Sequence, residues 1–357
     1  MRVLLLADSN SIHTFKIATM LSSKGNDVSI FTLSQDTSLD EQYQERKINI
    51  RRAQRNVSPD ANDLSKIGYL FSVVALNQYI KEIKPDIVNA HYASSYGLLA
   101  SIVKPFNFVL NLWGSDVYVF PKKSFFHKFC LKLVLFSSKK INSTSESMAN
   151  EIRKYTNKEV RITPFGIDLK LFYSERNVFD SDTYNIGLVK GMDVIYGIDI
   201  LIKAFAIVKR NNPTKNLYLN LYGKGKDLGK FKNLVSRLNL TDTVFFKGFI
   251  KNTEVRKAYN KMDLAVFPSR SESFGVSVIE AMACEVPVIV SNVGGLAEVV
   301  AENGIILNSN DEKEISNEIQ RIIENPKAIE TKIKAARSRV ERNFSWEVCV
   351  ERILDSY

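Results

Sequence analysis

Two carboxylates stand eight positions apart in the segment 271–295, which reads SESFGVSVIEAMACEVPVIVSNVGG. The apolar spacing predicts a buried helix that begins near Phe274 or Gly275, so Glu272 precedes the helix and Glu280 lies inside it. The first N–H groups of a helix lack intrahelical partners and bind phosphate or sugar oxygens. A carboxylate can hold the vicinal hydroxyls of a ribose. The structural alternative makes Glu272 a helix cap and Glu280 a salt-bridged helix residue.

Short apolar runs alternate with helix-length amphipathic segments along the whole chain. In the first half, the predicted strands are 3–8, 27–33, 48–53, 86–91, 108–114, 140–145 and 160–166. In the second half, they are 185–189, 218–223, 244–249, 264–269, 287–292 and 305–308. This alternation indicates βαβ units, and therefore parallel sheets covered by helices on both faces.

We therefore predict an α/β protein with two doubly wound, Rossmann-like domains. The first domain spans 1–168 and the second spans 169–342, with a polar linker placed in 169–184. The amphipathic end of the chain, 343–357, is expected to form a helix that packs back on the first domain.

Ligands of open α/β sheets bind beyond the carboxyl ends of the strands, and two such domains place the default site in the cleft between them. In the first half, these positions are occupied by Asn10, Ser11, His13, His91, Tyr92, Trp113 and Asp116. In the second half, they are occupied by Lys190, Gly223, Gly248, Phe249, Ile250, Glu272, Ser273, Phe274 and Gly275.

The composition is that of a soluble globular protein, with 45% apolar and 25% charged residues. No apolar run approaches the roughly 18 residues that a membrane-spanning helix requires. The opening MRVLLLADSN is too short for a secretory signal, so we expect a cytoplasmic protein. The cysteines Cys130, Cys284 and Cys349 have no paired spacing, which indicates core residues and neither a disulfide framework nor a metal site.

Positive charge is concentrated in the first half of the chain. Residues 1–170 hold 23 Lys and Arg against 15 Asp and Glu, while the whole chain has a net charge of +10. The segment 121–140 has six Lys and no acidic residue, with Phe and Leu between the lysines. This pattern suits a basic amphipathic helix on an anionic membrane. It also suits a domain helix with an apolar core face and a solvated Lys face, which is the favoured interpretation.

The segment 268–295 resembles the Glu-x7-Glu motif of the retaining glycosyltransferases of the GT-B fold, in particular the family four nucleotide-sugar transferases. The likeness extends through YGIDILIKAFAIV, LYGKGKDLGKFKNLVSRLNLTDTVFFKGFI and PFGIDLKLF. In the first half, ADSNSIHTFKIATMLSSKGNDV, AHYASSYG and LWGSDVYVFP resemble bacterial surface-polysaccharide transferases.

The resemblance implies a role for each matching position. Glu272 would contact the donor sugar, Glu280 would hold the nucleotide ribose, and Lys190 would neutralise the diphosphate of a UDP- or GDP-sugar. No further cofactor is implied. The backbone amides of 273–275 would assist Glu272, Gly223 would let the backbone approach the nucleotide, and Gly248, Phe249 and Ile250 would line the base pocket. A glycan or polyprenyl-diphosphate-linked acceptor, at the inner face of the membrane, would meet Asn10, Ser11, His13, Tyr92 and Trp113.

Three places depart from the family pattern, and one of them, Cys284-Glu285 in place of a small residue followed by Gly, lies on the return to the next strand. Ile195-Tyr196-Gly197 stands where many members have Glu-Lys-Gly, so the second cation for the diphosphate is missing and Lys190 or another nearby lysine must carry that charge. Trp113 stands where many members have a His assigned to the reaction centre. The candidates to replace this His are His91, His13 and Asp116, and the alternative is that Trp113 stacks on a sugar.

Breaking the bond to a nucleoside diphosphate develops negative charge on the leaving group, which a lysine and a helix N-terminus can stabilise without a metal. The sequence Asp-Ser-Asp at 180–182 matches the motif of metal-dependent glycosyltransferases, but it lies in the linker and is interpreted as solvated. Retention, by same-face attack in which the leaving phosphate takes the acceptor's proton, is implied by the resemblance.

Two other protein classes share parts of this pattern. GKGKDLG at 223–229 is close to the dinucleotide motif of an NAD-dependent oxidoreductase, but it lacks the spacing of the third Gly and a following acidic residue. The basic composition also suits a nucleic-acid-binding or membrane-surface protein without catalysis. The carboxylates Glu272 and Glu280 disfavour a nucleic-acid partner.

Overall fold

The computed structural model describes residues 1–53, 72–175 and 183–357. The chain divides into two compact units, one formed by 1–165 with 349–357 and the other by 166–348. Each unit contains one parallel sheet with helices connecting its strands. The predicted α/β class with two doubly wound domains is confirmed. The unit boundary lies three residues before the predicted one.

The first unit is built on a parallel sheet with the strand order β3-β2-β1-β4-β5-β6-β7. Its strands are β1 (Arg2–Leu6), β2 (Asp27–Thr32), β3 (Asn49–Arg52), β4 (Ile87–His91), β5 (Phe108–Leu112), β6 (Lys140–Ser143) and β7 (Val160–Ile162). Its described helices are α1 (Ile12–Ser23), α2 (Asp40–Glu45), α3 (Ser72–Ile83), α4 (Leu98–Val103), α5 (Ser115–Tyr118), α6 (Phe125–Ser137) and α7 (Glu146–Ile152). The central strands β4 and β5 are buried along their whole length because helices cover both faces.

The second unit is built on a parallel sheet with the order β10-β9-β8-β11-β12-β13. Its strands are β8 (Thr183–Val189), β9 (Asn216–Tyr222), β10 (Val244–Gly248), β11 (Leu264–Phe267), β12 (Val288–Ser291) and β13 (Ile305–Leu307). Its helices are α8 (Ile198–Asn211), α9 (Leu228–Arg237), α10 (Asn252–Tyr259), α11 (Val276–Ala283), α12 (Leu296–Val300), α13 (Glu312–Glu324) and α14 (Glu330–Phe344).

Every predicted strand is present, and the differences lie at the strand ends, on both sides. The predicted strand 108–114 ends at Leu112 because the next residues turn around the buried carboxylate of Asp116, which accepts a hydrogen bond from the Gly114 N–H. The predicted strand 160–166 ends at Ile162, two residues before Pro164, which has no N–H to donate to a neighbouring strand.

The last helix, α15 (Trp346–Asp355), delivers the end of the chain to the first unit. The amide of Asn142 donates a hydrogen bond of 2.8 Å to the Ser356 hydroxyl, and Arg161 donates one of 2.9 Å to the carbonyl of Asp355. The expected packing of the terminal helix therefore applies from Cys349 onwards, where the chain joins the first unit.

No helix in the described part of the chain is long and apolar enough to cross a membrane. The three cysteines are buried and free, as expected for core residues. The helix α6 is a domain helix whose inner face, including Leu131 and Val134, joins the core of the first unit. Its outer face differs from the expected solvated lysine face because large apolar side chains are exposed there.

Candidate functional site

The strand order of each sheet reverses at one point, and the predicted site residues lie there. In the second unit the reversal falls between β8 and β11, which are followed by Lys190 and Glu272. In the first unit it falls between β1 and β4, which are followed by Asn10 and His91–Tyr92. Ligands of doubly wound sheets bind at such switch points.

Lys190 and Glu272 form an ion pair at the switch point of the second unit. The Lys190 Nζ lies 2.5 Å from Glu272 Oε2, and the two side chains are 15% and 13% exposed. The same Nζ lies 4.8 Å from the ring centroid of Tyr196, at a distance suited to a cation–π contact. Both charges are therefore held almost out of water, where their electrostatic effect is stronger than at a free surface.

The loop that carries Glu272 is braced from three sides. Arg270 forms two hydrogen bonds with the carboxylate of Asp199, at 2.8 and 2.7 Å. The Ser291 hydroxyl donates to the Ser269 carbonyl at 2.7 Å, and the Asn310 amide donates to the same carbonyl at 3.1 Å. Because its backbone is fixed by these contacts, the loop holds its carboxylate in place before any ligand arrives.

The helix after this loop, α11, begins at Val276, one to two residues later than the sequence predicts. Its cap is Gly275, at a φ of 112°, a left-handed conformation that glycine adopts without strain. The Phe274 ring is buried, with its centroid 5.6 Å from that of Phe344. Phe274 therefore anchors the loop through its side chain, and only its backbone is a candidate for ligand contact. Ser273 lies between it and Glu272.

The glycines after β9 allow two loops to pack backbone against backbone. A Cβ on Gly223 would lie 1.9 Å from the Lys190 carbonyl oxygen, and one on Gly225 would lie 2.5 Å from the backbone of Met192. The Met192 N–H also donates to the Lys224 carbonyl at 3.1 Å. Gly223 thus allows a close approach to the loop carrying Lys190. Its approach to a nucleotide stays a prediction.

The predicted base-pocket residues follow β10. Gly248 has a φ of 76° and open space at its Cβ position, and Phe249 is 67% exposed. The Lys224 Nζ lies 5.0 Å from the centroid of the Phe249 ring. Ile250 is half-buried beside them. An exposed phenyl ring with a lysine next to it offers a stacking surface for a flat ligand. Contact with a nucleotide base stays a prediction.

Glu280 lies in the second turn of α11 and is 6% exposed. Burial, followed by the charge of Glu280, raises the pKa of Cys284 to about 12 and that of Tyr259 well above its usual value. The Glu280 carboxylate therefore lies close to both groups. The Tyr259 hydroxyl donates at 2.8 Å to the Ser277 carbonyl. The role of Glu280 in holding a ribose stays a prediction.

Asp116, expected at the reaction centre, is a loop-positioning group. Its carboxylate accepts hydrogen bonds from the backbone N–H groups of Ala93 at 3.1 Å, Trp113 at 3.3 Å and Gly114 at 2.9 Å. The residue is 1% exposed, and burial raises its pKa. Because both oxygens are occupied by backbone donors, Asp116 fixes the loops after β4 and β5 and is not placed to exchange protons with a substrate.

Trp113 is the centre of an aromatic cluster formed with His13, His91, Tyr92 and Phe165. Its ring centroid lies 4.4 Å from that of His91, 5.1 Å from Tyr92, 5.3 Å from Phe165 and 5.8 Å from His13. The rings of His13 and Phe165 are stacked at 4.3 Å. Because Trp113 is 7% exposed and surrounded by these rings, little of its face is left for the alternative in which it stacks on a sugar.

His91 is neutral inside this cluster. Burial, assisted by the neighbouring His13, lowers the pKa of His91 to about 3. Neither ring nitrogen of His91 has a hydrogen-bond partner among the described residues. The buried ring can hold Trp113 in position, but a proton transfer by His91 would need a group that reaches its nitrogens.

The two other predicted acceptor residues lie at the end of β1. Asn10 accepts a hydrogen bond of 3.1 Å from the Ser38 hydroxyl and is half-buried. Ser11 is the residue before α1, and its side chain makes no capping bond to that helix. Tyr92 follows β4 with a φ of 68°, and burial raises its pKa to about 12.

Three features of the site were missed from the sequence. Tyr196 was counted only as a missing cation, although an aromatic ring beside a lysine is itself a signal. Nothing in the sequence around Arg270 indicates its ion pair with Asp199, and nothing around Phe165 indicates its stacking on His13. The Asp-Ser-Asp segment at 180–182 lies outside the described residues. Within the described ranges, no three His, Cys, Asp or Glu side chains are grouped as metal ligands.

Comparison with known proteins places two family models on successive parts of the chain. The model described as glycosyl transferase 4-like matches residues 2–145, and that described as glycosyl transferases group 1 matches residues 171–339.

An uncharacterized glycosyltransferase of Methanocaldococcus jannaschii is 29% identical over 306 residues, which cover 84% of this chain and 83% of the relative. The capsular polysaccharide biosynthesis glycosyltransferase CapM of Staphylococcus aureus is 27% identical over 334 residues, 85% of this chain and 84% of the relative. Among solved structures, Anabaena HepE in complex with UDP matches 100% of this chain and 99% of its own, with a TM-score of 0.80 and 17% identity.

Proposed function

Since the chain belongs to the GT-B glycosyltransferases of the family 4 type, we propose that its donor is a nucleoside-diphosphate sugar, UDP- or GDP-linked. The proposed acceptor is a glycan or a polyprenyl-diphosphate-linked sugar, in the synthesis of a cell-surface polysaccharide. CapM, a capsular polysaccharide enzyme similar to this chain over most of its length, supports this setting. We place the reaction in the cytoplasm, at the inner face of the membrane.

The observation that carries the donor proposal is the ion pair of Lys190 and Glu272 at the switch point of the second unit. A donor would replace this pair by two matched contacts. The diphosphate would take the ammonium group and the N-terminus of α11, and the sugar hydroxyls would take the carboxylate. Neither charge is then left unpaired when the donor binds, which avoids the cost of an isolated buried charge.

The reaction transfers the anomeric carbon from a phosphate oxygen to an acceptor oxygen. As the bond to the diphosphate breaks, negative charge grows on the leaving group, and Lys190 is placed to stabilise it. The acceptor hydroxyl forms the new bond on the same face of the sugar and gives its proton to the departing phosphate. This retaining course requires no metal, and both features remain part of the proposal.

In the first unit, we propose that Asp116 and His91 position the acceptor site. Asp116 fixes the loops after β4 and β5 through three backbone contacts, and the ring of His91 packs against Trp113. The acceptor would then meet the outer members of this region, Asn10, Ser11, His13 and Tyr92, at the ends of β1 and β4. The cleft predicted between the two units stays a prediction.

Slow hydrolysis of labelled nucleotide sugars tests the proposal without knowledge of the acceptor. The protein is incubated with UDP-, GDP- and ADP-sugars, and release of the free sugar is measured. We expect turnover with a subset of these donors, its loss in Glu272→Ala, and weaker donor affinity in Glu280→Ala. The matched control is Glu254→Ala, which removes an exposed carboxylate of the same unit. No turnover with any donor, or equal turnover in Glu272→Ala, would contradict the proposal.

A further inference from the structure

One face of α6 exposes five large apolar side chains. We name this surface the α6 ridge; its members are Phe125, Phe126, Phe129, Leu133 and Phe136. Phe125 is 85% exposed and Phe136 is 79% exposed, and phenylalanine is rarely so exposed on a protein surface in contact with water. The opposite face of the same helix is buried in the core of the first unit. The exposed rings are therefore not needed to fold the helix onto its sheet.

Helix geometry places the ridge on one line. At about 100° per residue, Phe125, Phe129 and Phe136 fall within an arc of about 40°, and Leu133 and Phe126 extend that arc on one side. With about 1.5 Å of rise per residue, the ridge runs along roughly 17 Å of helix. Phe106, which is 90% exposed, lies next to Lys139, whose Nζ is 5.4 Å from its ring centroid.

Lysines flank the ridge. Lys128 and Lys132 lie on α6 itself, on the other side of the phenylalanine line, and both are exposed. Exposed lysines also precede and follow the helix, at Lys122, Lys123 and Lys139. The segment 121–140 contains no acidic residue. Phenyl rings with ammonium groups beside them match the boundary between lipid chains and anionic headgroups, because long lysine side chains reach outward to the headgroups.

We propose that the α6 ridge docks the first unit onto an anionic lipid bilayer. The rings enter the boundary between acyl chains and headgroups, and the lysines contact the anionic headgroups. Docking in this way requires no change in fold, since the rings are already exposed and α6 is held by its buried face. The inference concerns a lipid surface and stands apart from the identity of the donor sugar.

Charge complementarity favours a bilayer over a second copy of the chain. A two-fold contact through the ridge would bring the lysines of one copy close to those of the other, with no acid in the segment to pair with them. A single nucleic-acid strand would need a groove in which aromatic platforms follow a backbone track. The ridge instead lies on the outer side of a helix, which suits a flat surface.

Vesicle flotation tests the proposal directly. The full chain is mixed with vesicles of phosphatidylglycerol and phosphatidylcholine, or with vesicles of phosphatidylcholine alone, and the bound fraction is measured at low and high salt. We expect binding to the anionic vesicles that weakens with salt. Each exposed ring that enters the bilayer is worth about tenfold in partitioning, and each lysine about fivefold.

Two variants separate the rings from the charges. Phe125→Ser with Phe129→Ser and Phe136→Ser should lower partitioning by at least 100-fold. Lys122→Gln with Lys128→Gln and Lys132→Gln should lower it by about 100-fold and weaken the salt dependence. The control for the phenylalanine variant is Val74→Ser, which changes an exposed apolar side chain elsewhere. The control for the lysine variant is the triple change Lys232→Gln, Lys261→Gln and Lys334→Gln, which removes exposed lysines of the second unit. The controls should bind vesicles like the parent chain.

Other occupants of the ridge give distinct results that overturn the proposal. The proposal is overturned if the parent chain does not bind anionic vesicles at low salt. It is also overturned if the phenylalanine variant binds these vesicles as well as the parent chain does. If the parent chain is a dimer in light scattering and does not bind vesicles, and if the phenylalanine variant is a monomer, the ridge is a contact surface for a second copy of the chain. Binding of a single-stranded oligonucleotide, lost in the same variant and without vesicle binding, would assign it to nucleic acid. Donor hydrolysis in solution, measured in parallel, reports separately on the proposed reaction.

Discussion

Replacing Gly223 by alanine should damage the donor site from a distance. The new Cβ would lie 1.9 Å from the Lys190 carbonyl oxygen, whereas real Cβ atoms essentially never come within 3.0 Å of another heavy atom, so the two loops would have to separate by about 1.1 Å. The φ of 142° adds backbone strain of about 1–3 kcal/mol for a non-glycine residue. A displacement of about 1 Å in a catalytic group can lower a rate about 100-fold.

The assay compares Gly223→Ala with Gly229→Ala, by donor hydrolysis and by thermal unfolding. A Cβ on Gly229, in the first turn of α9, meets nothing within 4 Å. Alanine there should raise the free energy of unfolding by about 0.5–1 kcal/mol and leave turnover unchanged. We expect Gly223→Ala to lower the free energy of unfolding by about 1–3 kcal/mol and turnover by about 100-fold. Parent-like turnover and melting temperature in Gly223→Ala would refute the reasoning.

Two further predictions concern the first unit. The pKa of His91 is about 3 in the folded chain and about 6.5 when unfolded, so the unfolded state binds more protons between these values and stability falls as pH decreases through that window, by up to about 1.4 kcal/mol per pH unit. When urea unfolding is measured across this pH window, the free energy of unfolding should fall less steeply with decreasing pH in His91→Phe than in the parent chain. Equal slopes in the two proteins would contradict the prediction. Asp116→Asn places an amide NH2 against a backbone N–H, so the free energy of unfolding should fall by about 1–3 kcal/mol; an exposed control, Asp242→Asn, should not change it.

The sheets could be predicted from the sequence because their strands are buried on both faces. Strands such as β4 and β5 appear as short apolar runs between helix-length segments, and this pattern survives without any knowledge of packing. Strand ends were less accurate. They depend on local contacts, such as the turn that Asp116 holds after β5.

The candidate site could be predicted residue by residue, but not contact by contact. Lys190 and Glu272 were both identified from their places after strands, yet their ion pair joins positions far apart in the sequence. Asp116 was assigned to catalysis because the sequence shows its charge and not the three backbone donors that surround it. The contact that Gly223 makes was not predicted for the same reason, since its neighbour is a carbonyl on another loop.

The outer face of α6 could have been predicted. Its lysines drew attention because charge is conspicuous in a list of residues, while the spacing of Phe125, Phe129 and Phe136 already places three rings on one side of a helix. What the sequence could not show is which side faces the core. Burial of Leu131, Val134 and Leu135 settles that point and leaves the rings outside.

The central claim is that Lys190 binds the diphosphate of a nucleotide-sugar donor, and calorimetric titration of nucleoside diphosphate against monophosphate tests it most directly. The parent chain and the surface control Lys232→Met should prefer the diphosphate of the matching base. In Lys190→Met, affinity for the diphosphate should fall by about 10- to 100-fold while that for the monophosphate changes little. If Lys190→Met keeps the full preference for the diphosphate, the claim is contradicted.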